Sequence, residues 1–118
     1  MNYDVIIVGA GPGGIFSAYE LTRLRPELKV AVFEAGHPLK NRKCPIDGVR
    51  VKSCIACKSC SIMSGFGGAG AFSDGKLNTG TKDLRHRWIL RQLVACGAPE
   101  SILTAVSYTH LTLPTTPY

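Results

Sequence analysis

The chain has 118 residues, with 14 Lys and Arg against 8 Asp and Glu and a formal net charge of +6 at pH 7. That length suits one small domain, and no apolar run approaches the ~20 residues that span a bilayer. The basic residues are scattered, with no aromatic-interleaved stripe, so neither a membrane nor a nucleic acid is expected as partner. The chain enters its first apolar run almost at once, which leaves no room for a signal peptide. A cytoplasmic setting follows, in which the five cysteines stay reduced.

The first element is Val5-Ile6-Ile7-Val8, an apolar run suited to a central parallel strand. Gly9-Ala10-Gly11-Pro12-Gly13-Gly14 follows directly. Gly9 allows a tight turn off the strand, Gly11 lets backbone approach a pyrophosphate, and Gly14 lets a helix pack on the strand. The N-terminus of that helix offers unpaired N–H groups and a positive dipole end to phosphates. Ile15, Ala18 and Leu21 then recur at the spacing of a helix facing a sheet, and Pro26 stops it. Val30-Ala31-Val32-Phe33 reads as a second buried strand, ending at Glu34, twenty residues after Gly14. A carboxylate there accepts hydrogen bonds from an adenosine ribose and repels a 2′-phosphate, which disfavours NADP. Strand, glycines, helix, strand and acid in register predict a dinucleotide-binding βαβ unit over residues 3–34. Gly9 to Gly14, Glu34 and the adjoining Ala35 are its cofactor-binding residues. FAD and NAD both satisfy this local chemistry.

The segment from Asp4 to Glu34 resembles the N-terminal FAD-binding unit of the glutathione reductase type. Lys40, Arg42 and Lys43 lie just beyond the second strand, within reach of a pyrophosphate, with Arg42 the candidate. A solvated basic loop is the plainer reading of each.

Cys54, Cys57 and Cys60 stand at C-x2-C-x2-C spacing, and Cys44 is a fourth candidate ligand. Thiolates so spaced suit an iron–sulfur cluster or a zinc ion. Redox-active thiols passing electrons to a flavin, and free cysteines packed as small hydrophobes, are the other two readings. Gly65-Phe66-Gly67-Gly68-Ala69-Gly70 is too glycine-rich for a helix and suits a loop against a flat ligand, with Gly67 and Gly68 as cofactor contacts. Gly70 to Lys76 fits the start of a triphosphate P-loop. It lacks the Ser or Thr needed at position 77, which is leucine, and no strand precedes it.

A helix is predicted over residues 82–97, with Leu84, Trp88, Leu93 and Val94 on one face and Cys96 in the core. Arg85, Arg87 and Arg91 fall on other faces, His86 lies on the surface, Gly97 caps the end and Pro99 stops it. The last stretch, from Val106, contains no Lys, Arg, Asp or Glu. Val106 to Thr115 back-translates to GTC TCT TAT ACA CAT CTG ACG CTG CCG ACG, which resembles a transposase-type sequencing adapter read in frame. Residues 105–118 are therefore read as a non-native tail and set aside.

Cys44-Pro45-Ile46, the Cys54 to Cys60 block, Ser64 to Leu77 and Gly97 to Leu103 are similar to a family of FAD-dependent dehydrogenases of poorly defined function. The resemblance covers residues 1–104. It implies an α/β, Rossmann-like, three-layer FAD/NAD(P)-binding fold, truncated after its N-terminal portion: the βαβ unit at 3–34, a Cys/Gly-rich cofactor loop at 44–80 and the helix at 82–97. It also implies FAD and an oxidoreductase activity, with NAD(H) as candidate co-substrate and a small-molecule substrate or electron donor or acceptor as partner. The fragment alone is expected neither to fold stably nor to hold flavin, and no catalytic residue is assigned, because the cofactor carries flavin chemistry. Two other functions stay open: a metal or iron–sulfur electron-transfer module built on the cysteines, and a non-catalytic NAD-binding sensor.

Overall fold

The computed structural model describes residues 1–72 and 83–104. The chain divides into two compact units, Met1–Ala71 and Phe72–Tyr118.

In the first unit, β1 (Val5–Val8) and β2 (Val30–Phe33) form a two-stranded parallel sheet, joined by α1 (Pro12–Leu24). Val5 pairs with Val30, Ile6 with Ala31, Ile7 with Val32 and Val8 with Phe33. The lower end is tied by the Asp4 carboxylate, which accepts from the Lys29 N–H at 2.8 Å. At the upper end the Gly9 N–H donates to the Phe33 carbonyl at 2.7 Å. Side chains alternate across a strand, so Val5, Ile7, Val30 and Val32 share one face, and α1 packs there. Its Ile15, Ala18 and Leu21 are half-buried, as their spacing predicts. The helix ends at Leu24, two residues before Pro26, with the Arg25 N–H bonded to the Leu21 carbonyl at 2.8 Å.

The opposite face carries Ile6, Val8 and Phe33, which are 59%, 88% and 55% exposed. An apolar run that reads as a strand buried on both sides is thus covered on one. Of three layers expected, the described residues of this unit supply the sheet and one helical layer. They fit the opening βαβ of a Rossmann-like α/β fold.

From Pro38 to Gly68 the chain is irregular apart from a 3₁₀ turn at Leu39–Asn41, and a second 3₁₀ turn begins at Ala69. One Asp47 oxygen accepts from the N–H groups of Val49, Arg50 and Val51, all at 2.8–2.9 Å, and so folds that stretch into a tight turn.

The second unit contains α2 (Leu84–Ala95) and a 3₁₀ turn at Glu100–Leu103. Asp83 caps α2 by accepting from the Arg85 N–H at 2.8 Å, and its carboxyl is pulled down to about 2 by the Arg85 side chain. Gly97, at φ 106°, closes a Schellman motif: its N–H bonds to the Val94 carbonyl and that of Ala98 to Leu93, both at 2.9 Å. Trp88, Leu93 and Val94 are half-buried, whereas Leu84, the first helical residue, is exposed. Two further expectations are corrected. Cys96 is exposed, because it is the capping residue and turns off the helix. His86 is half-buried, with its Nε2 enclosed and without a hydrogen-bond partner among the described residues. The tail at 105–118 and residues 73–76 of the P-loop-like stretch lie outside the described residues.

Candidate functional site

The glycines of the β1–α1 turn are there for different reasons. Gly9 has φ 99°, a left-handed backbone that favours glycine. At Gly14 the constraint is packing: a Cβ would stand 1.9 Å from the Gly9 carbonyl oxygen and 3.3 Å from Ile7 Cγ2. Helix and strand therefore meet backbone to backbone. Gly11 has neither constraint. Its φ of −77° and ψ of −177° are open to any residue, and a Cβ there would meet nothing within 4 Å. A glycine that its own fold does not require leaves room for something outside the chain.

Gly11 is also the N-cap of α1 and offers no side-chain acceptor, and Pro12 occupies the first helical turn. The first helical bond runs from the Ile15 N–H to the Gly11 carbonyl at 2.9 Å. The N–H groups of Gly13 and Gly14 precede it at the positive end of the helix dipole, and among the described residues neither donates to a backbone carbonyl outside the helix.

Glu34, just past β2, closes the other side. One carboxylate oxygen accepts from the Ala10 N–H at 2.7 Å, the other from the Gly36 N–H at 2.8 Å. These bonds, with that of the Gly65 N–H and the nearby Arg42 charge, hold the Glu34 carboxyl below the usual carboxylate range. Each oxygen keeps lone pairs beyond those bonds, so the acid is ionised and able to accept hydroxyl groups while it ties the turn to the end of β2. Ala35, the next residue, is exposed.

The glycine-rich segment comes to the same place. A Cβ at Gly36 would lie 2.4 Å from the Gly65 nitrogen, and one at Gly68 would lie 3.2 Å from both Gly11 Cα and Pro12 Cδ. The Gly67 N–H donates to the Ala10 carbonyl at 2.8 Å, and the Phe66 N–H to the His37 carbonyl at 3.1 Å. Gly67 and Gly68 thus stand beside Ala10, Gly11 and Glu34. Gly36 and Gly65 belong to the same construction; Gly65 opens the glycine-rich loop of the sequence reading, whereas Gly36 is not singled out by it. Their signal is a glycine two residues after the acid that ends β2, and another opening the glycine-rich block.

Lys40 and Lys43 are exposed, as a solvated loop requires, but Arg42 is 5% exposed. Its guanidinium donates to the carbonyls of Ser61, Ile62, Phe66 and Gly68 at 2.6–2.9 Å.

The cysteines are not brought together as a metal centre. Cys54 and Cys57 are exposed, Cys44 and Cys60 half-buried, all as free thiols. Among the described residues no three His, Cys, Asp or Glu side chains gather as a metal would need. Ala56, at φ 52°, turns the chain between Cys54 and Cys57, while the Cys60 carbonyl closes a turn onto the Ser64 N–H at 2.8 Å. The Cys60 thiol is shifted down by the N–H groups of Met63 and Ile62 and by the Arg42 charge. No described helix is long and apolar enough to cross a membrane.

Comparison with known proteins matches residues 1–38 to the Thi4 family. Thiamine thiazole synthases of Yarrowia lipolytica and Emericella nidulans are 54% identical over 33 residues and 56% over 32. These matches cover 28% and 27% of this chain and 10% of each synthase. An uncharacterized protein of Clostridium beijerinckii is 40% identical over 97 residues, which are 82% of this chain and 18% of that protein. The chain therefore spans under a fifth of the length of these curated relatives. No solved structure matches it.

Proposed function

We propose that this chain is the FAD-binding N-terminal portion of an oxidoreductase. The observation that carries the reading is Gly11, a glycine unconstrained by φ or by packing, at the mouth of a helix whose Gly13 and Gly14 N–H groups donate to no backbone carbonyl outside the helix among the described residues. A pyrophosphate placed there takes those N–H groups as donors. Glu34 is within the same construction and takes the ribose hydroxyls of the adenosine. Gly9 and Gly14 set the turn and the helix approach, and Ala35, Gly67 and Gly68 line the neighbouring backbone. FAD is favoured over NAD by the glycine-rich segment that follows. Bound flavin supplies two-electron chemistry; the residues described here bind and orient its nucleotide half.

The Thi4 family match ends at residue 38, just past the βαβ unit. It supports a shared dinucleotide turn, and nothing of the thiazole synthases' chemistry is carried over. The match to the clostridial protein runs on through much of the Cys/Gly-rich region, so the unit and its loop belong together.

The test is titration of the longer protein, of which this chain is proposed to be the N-terminal portion, with FAD, NAD⁺ and NADP⁺, followed by flavin fluorescence and calorimetry. Saturable FAD binding, displaced by ADP, is expected. NAD⁺ binding without FAD binding would refute the flavin assignment, and binding of none of the three would refute the dinucleotide reading.

A further inference from the structure

The glycine-rich segment has to be held in place without regular secondary structure, and a single side chain does most of the holding. Arg42 Nε donates to the Ser61 carbonyl at 2.8 Å, and Nη2 to that of Ile62 at 2.7 Å. Nη1 donates to both Phe66 at 2.9 Å and Gly68 at 2.6 Å. A planar fork thus satisfies carbonyls on both arms of one loop. A lysine, with three N–H groups on a single nitrogen, does not reproduce this arrangement. Around the same loop Glu34 does the converse, accepting N–H groups from Ala10 and Gly36 at 2.7 and 2.8 Å. Between them the acid gathers main-chain donors and the base gathers main-chain acceptors. The segment is drawn from Gly36, against Gly65, to Gly11, against Gly68.

We propose that Arg42 is a positioning residue of the dinucleotide site: it spends its charge on loop carbonyls, and thereby fixes Gly65–Gly68 as a second backbone wall beside the phosphate turn. This rests on the dinucleotide reading above and deepens it. Among the described residues Arg42 is the one basic residue after β2 that is buried, and it donates to the chain's own carbonyls. Its effect on a ligand passes through Gly67 and Gly68. The wall runs from the ribose acid to the phosphate turn, so it serves the ADP half of the ligand.

The experiment compares the longer protein that carries this segment with its Arg42→Lys and Arg42→Gln variants. It reads amide hydrogen exchange of Gly67 without ligand, and affinity for ADP and for FAD. Both variants are expected to lose protection at the Gly67 N–H and to bind ADP and FAD at least ten-fold more weakly, by a similar factor. Lysine should rescue no better than glutamine, and the β1 and β2 amides should stay protected. Near-native affinity in Arg42→Lys with a loss in Arg42→Gln would overturn the proposal, because charge alone would then be acting on phosphate. Retained Gly67 protection in both variants, or none in the parent chain, would overturn it equally. Should both variants lose the strand amides, Gly36→Ala decides. It leaves Arg42 intact and drives a Cβ to 2.4 Å from the Gly65 nitrogen, so it should release Gly67 and weaken ADP; unchanged protection and affinity would sink the idea. A parent chain that protects Gly67 but binds neither nucleotide refutes the function while sustaining the clamp.

Discussion

Gly11→Ser and Gly14→Ala are neighbouring substitutions with opposite expected effects, and together they separate fold from function. At Gly14 the new methyl would sit 1.9 Å from the Gly9 carbonyl oxygen. Relief requires a shift of roughly 1 Å between two backbones, and neither has a rotamer to give. Overpacking of this kind costs about 1–3 kcal/mol, and a clash against main chain belongs at the upper end. A loss of about 2–3 kcal/mol corresponds to roughly 10–20 °C in Tm for a domain of this size. At Gly11 the backbone is already that of an N-cap and nothing lies within 4 Å of a Cβ. Serine there caps α1 and is worth a few tenths of a kcal/mol over glycine, so Tm should hold or rise slightly. Its hydroxyl, however, takes an N–H of the first turn that a phosphate needs, and its Cβ fills the space beside the turn. Losing a charge-assisted hydrogen bond of about 1.5–3 kcal/mol weakens binding roughly 10- to 150-fold. Circular-dichroism melts and FAD titrations on the two variants check both halves. Undiminished FAD affinity in Gly11→Ser would show that the ligand does not lie beside Gly11. An unchanged melt in Gly14→Ala would show that helix and strand are not in backbone contact.

Three further outcomes follow from the same geometry. Gly13 lies in the first turn of α1 with open space at its Cβ, so Gly13→Ala should raise stability by about 0.5 kcal/mol in urea titration; a loss would mean that the turn is more crowded than described. Glu34 is depressed by main-chain donors, so its contribution is complete above the ordinary glutamate value of about 4.3 and is lost as pH falls through its lower folded value. Glu34→Gln should lower the urea midpoint at pH 7 and flatten its fall between pH 5 and 2; identical acid limbs would contradict the role given to Glu34. Finally, Zn²⁺ or Fe²⁺ added to the reduced chain should form no tight stoichiometric complex through Cys44, Cys54, Cys57 and Cys60. A 1:1 complex with thiolate-to-metal absorption, lost in Cys57→Ser, would reverse that conclusion.

The βαβ unit was legible because every signal in it is local. The apolar runs Val5–Val8 and Val30–Phe33, the glycines and Pro26 each act within a few residues, and the elements fall where those residues place them. Arg42 was not legible in the same way. A basic residue between Lys40 and Lys43 reads as solvated, and only its carbonyl partners, nineteen or more positions away, make it internal. Glu34 was found for its acid, but its bonds to Ala10 and Gly36 depend on a fold that pattern reading does not supply. The cysteine spacing is a weaker signal, because periodic thiols share a centre only where the backbone curls around one, and Cys44, Cys54, Cys57 and Cys60 do not gather among the described residues. Cys96 and His86 exchanged their expected environments because a helix pattern fixes the face of a residue and not whether it lies at the frayed end.

The meeting of Gly14 with the Gly9 carbonyl has a consequence for how this site tolerates change. Its working surface is made of amide groups and empty volume, so few side chains carry chemistry that substitution would grade. A saturation scan should therefore read almost as a binary code. Positions 9, 11, 14, 36 and 65 would behave as switches, position 9 through its backbone angle and the others through occupancy, and Ala10, 1% exposed, would stay small, while Pro12, Ala35 and Phe66 would accept broad variation. Such a surface drifts in sequence while keeping its shape, and its ancestry is easier to trace through where glycines are obligatory than through overall identity.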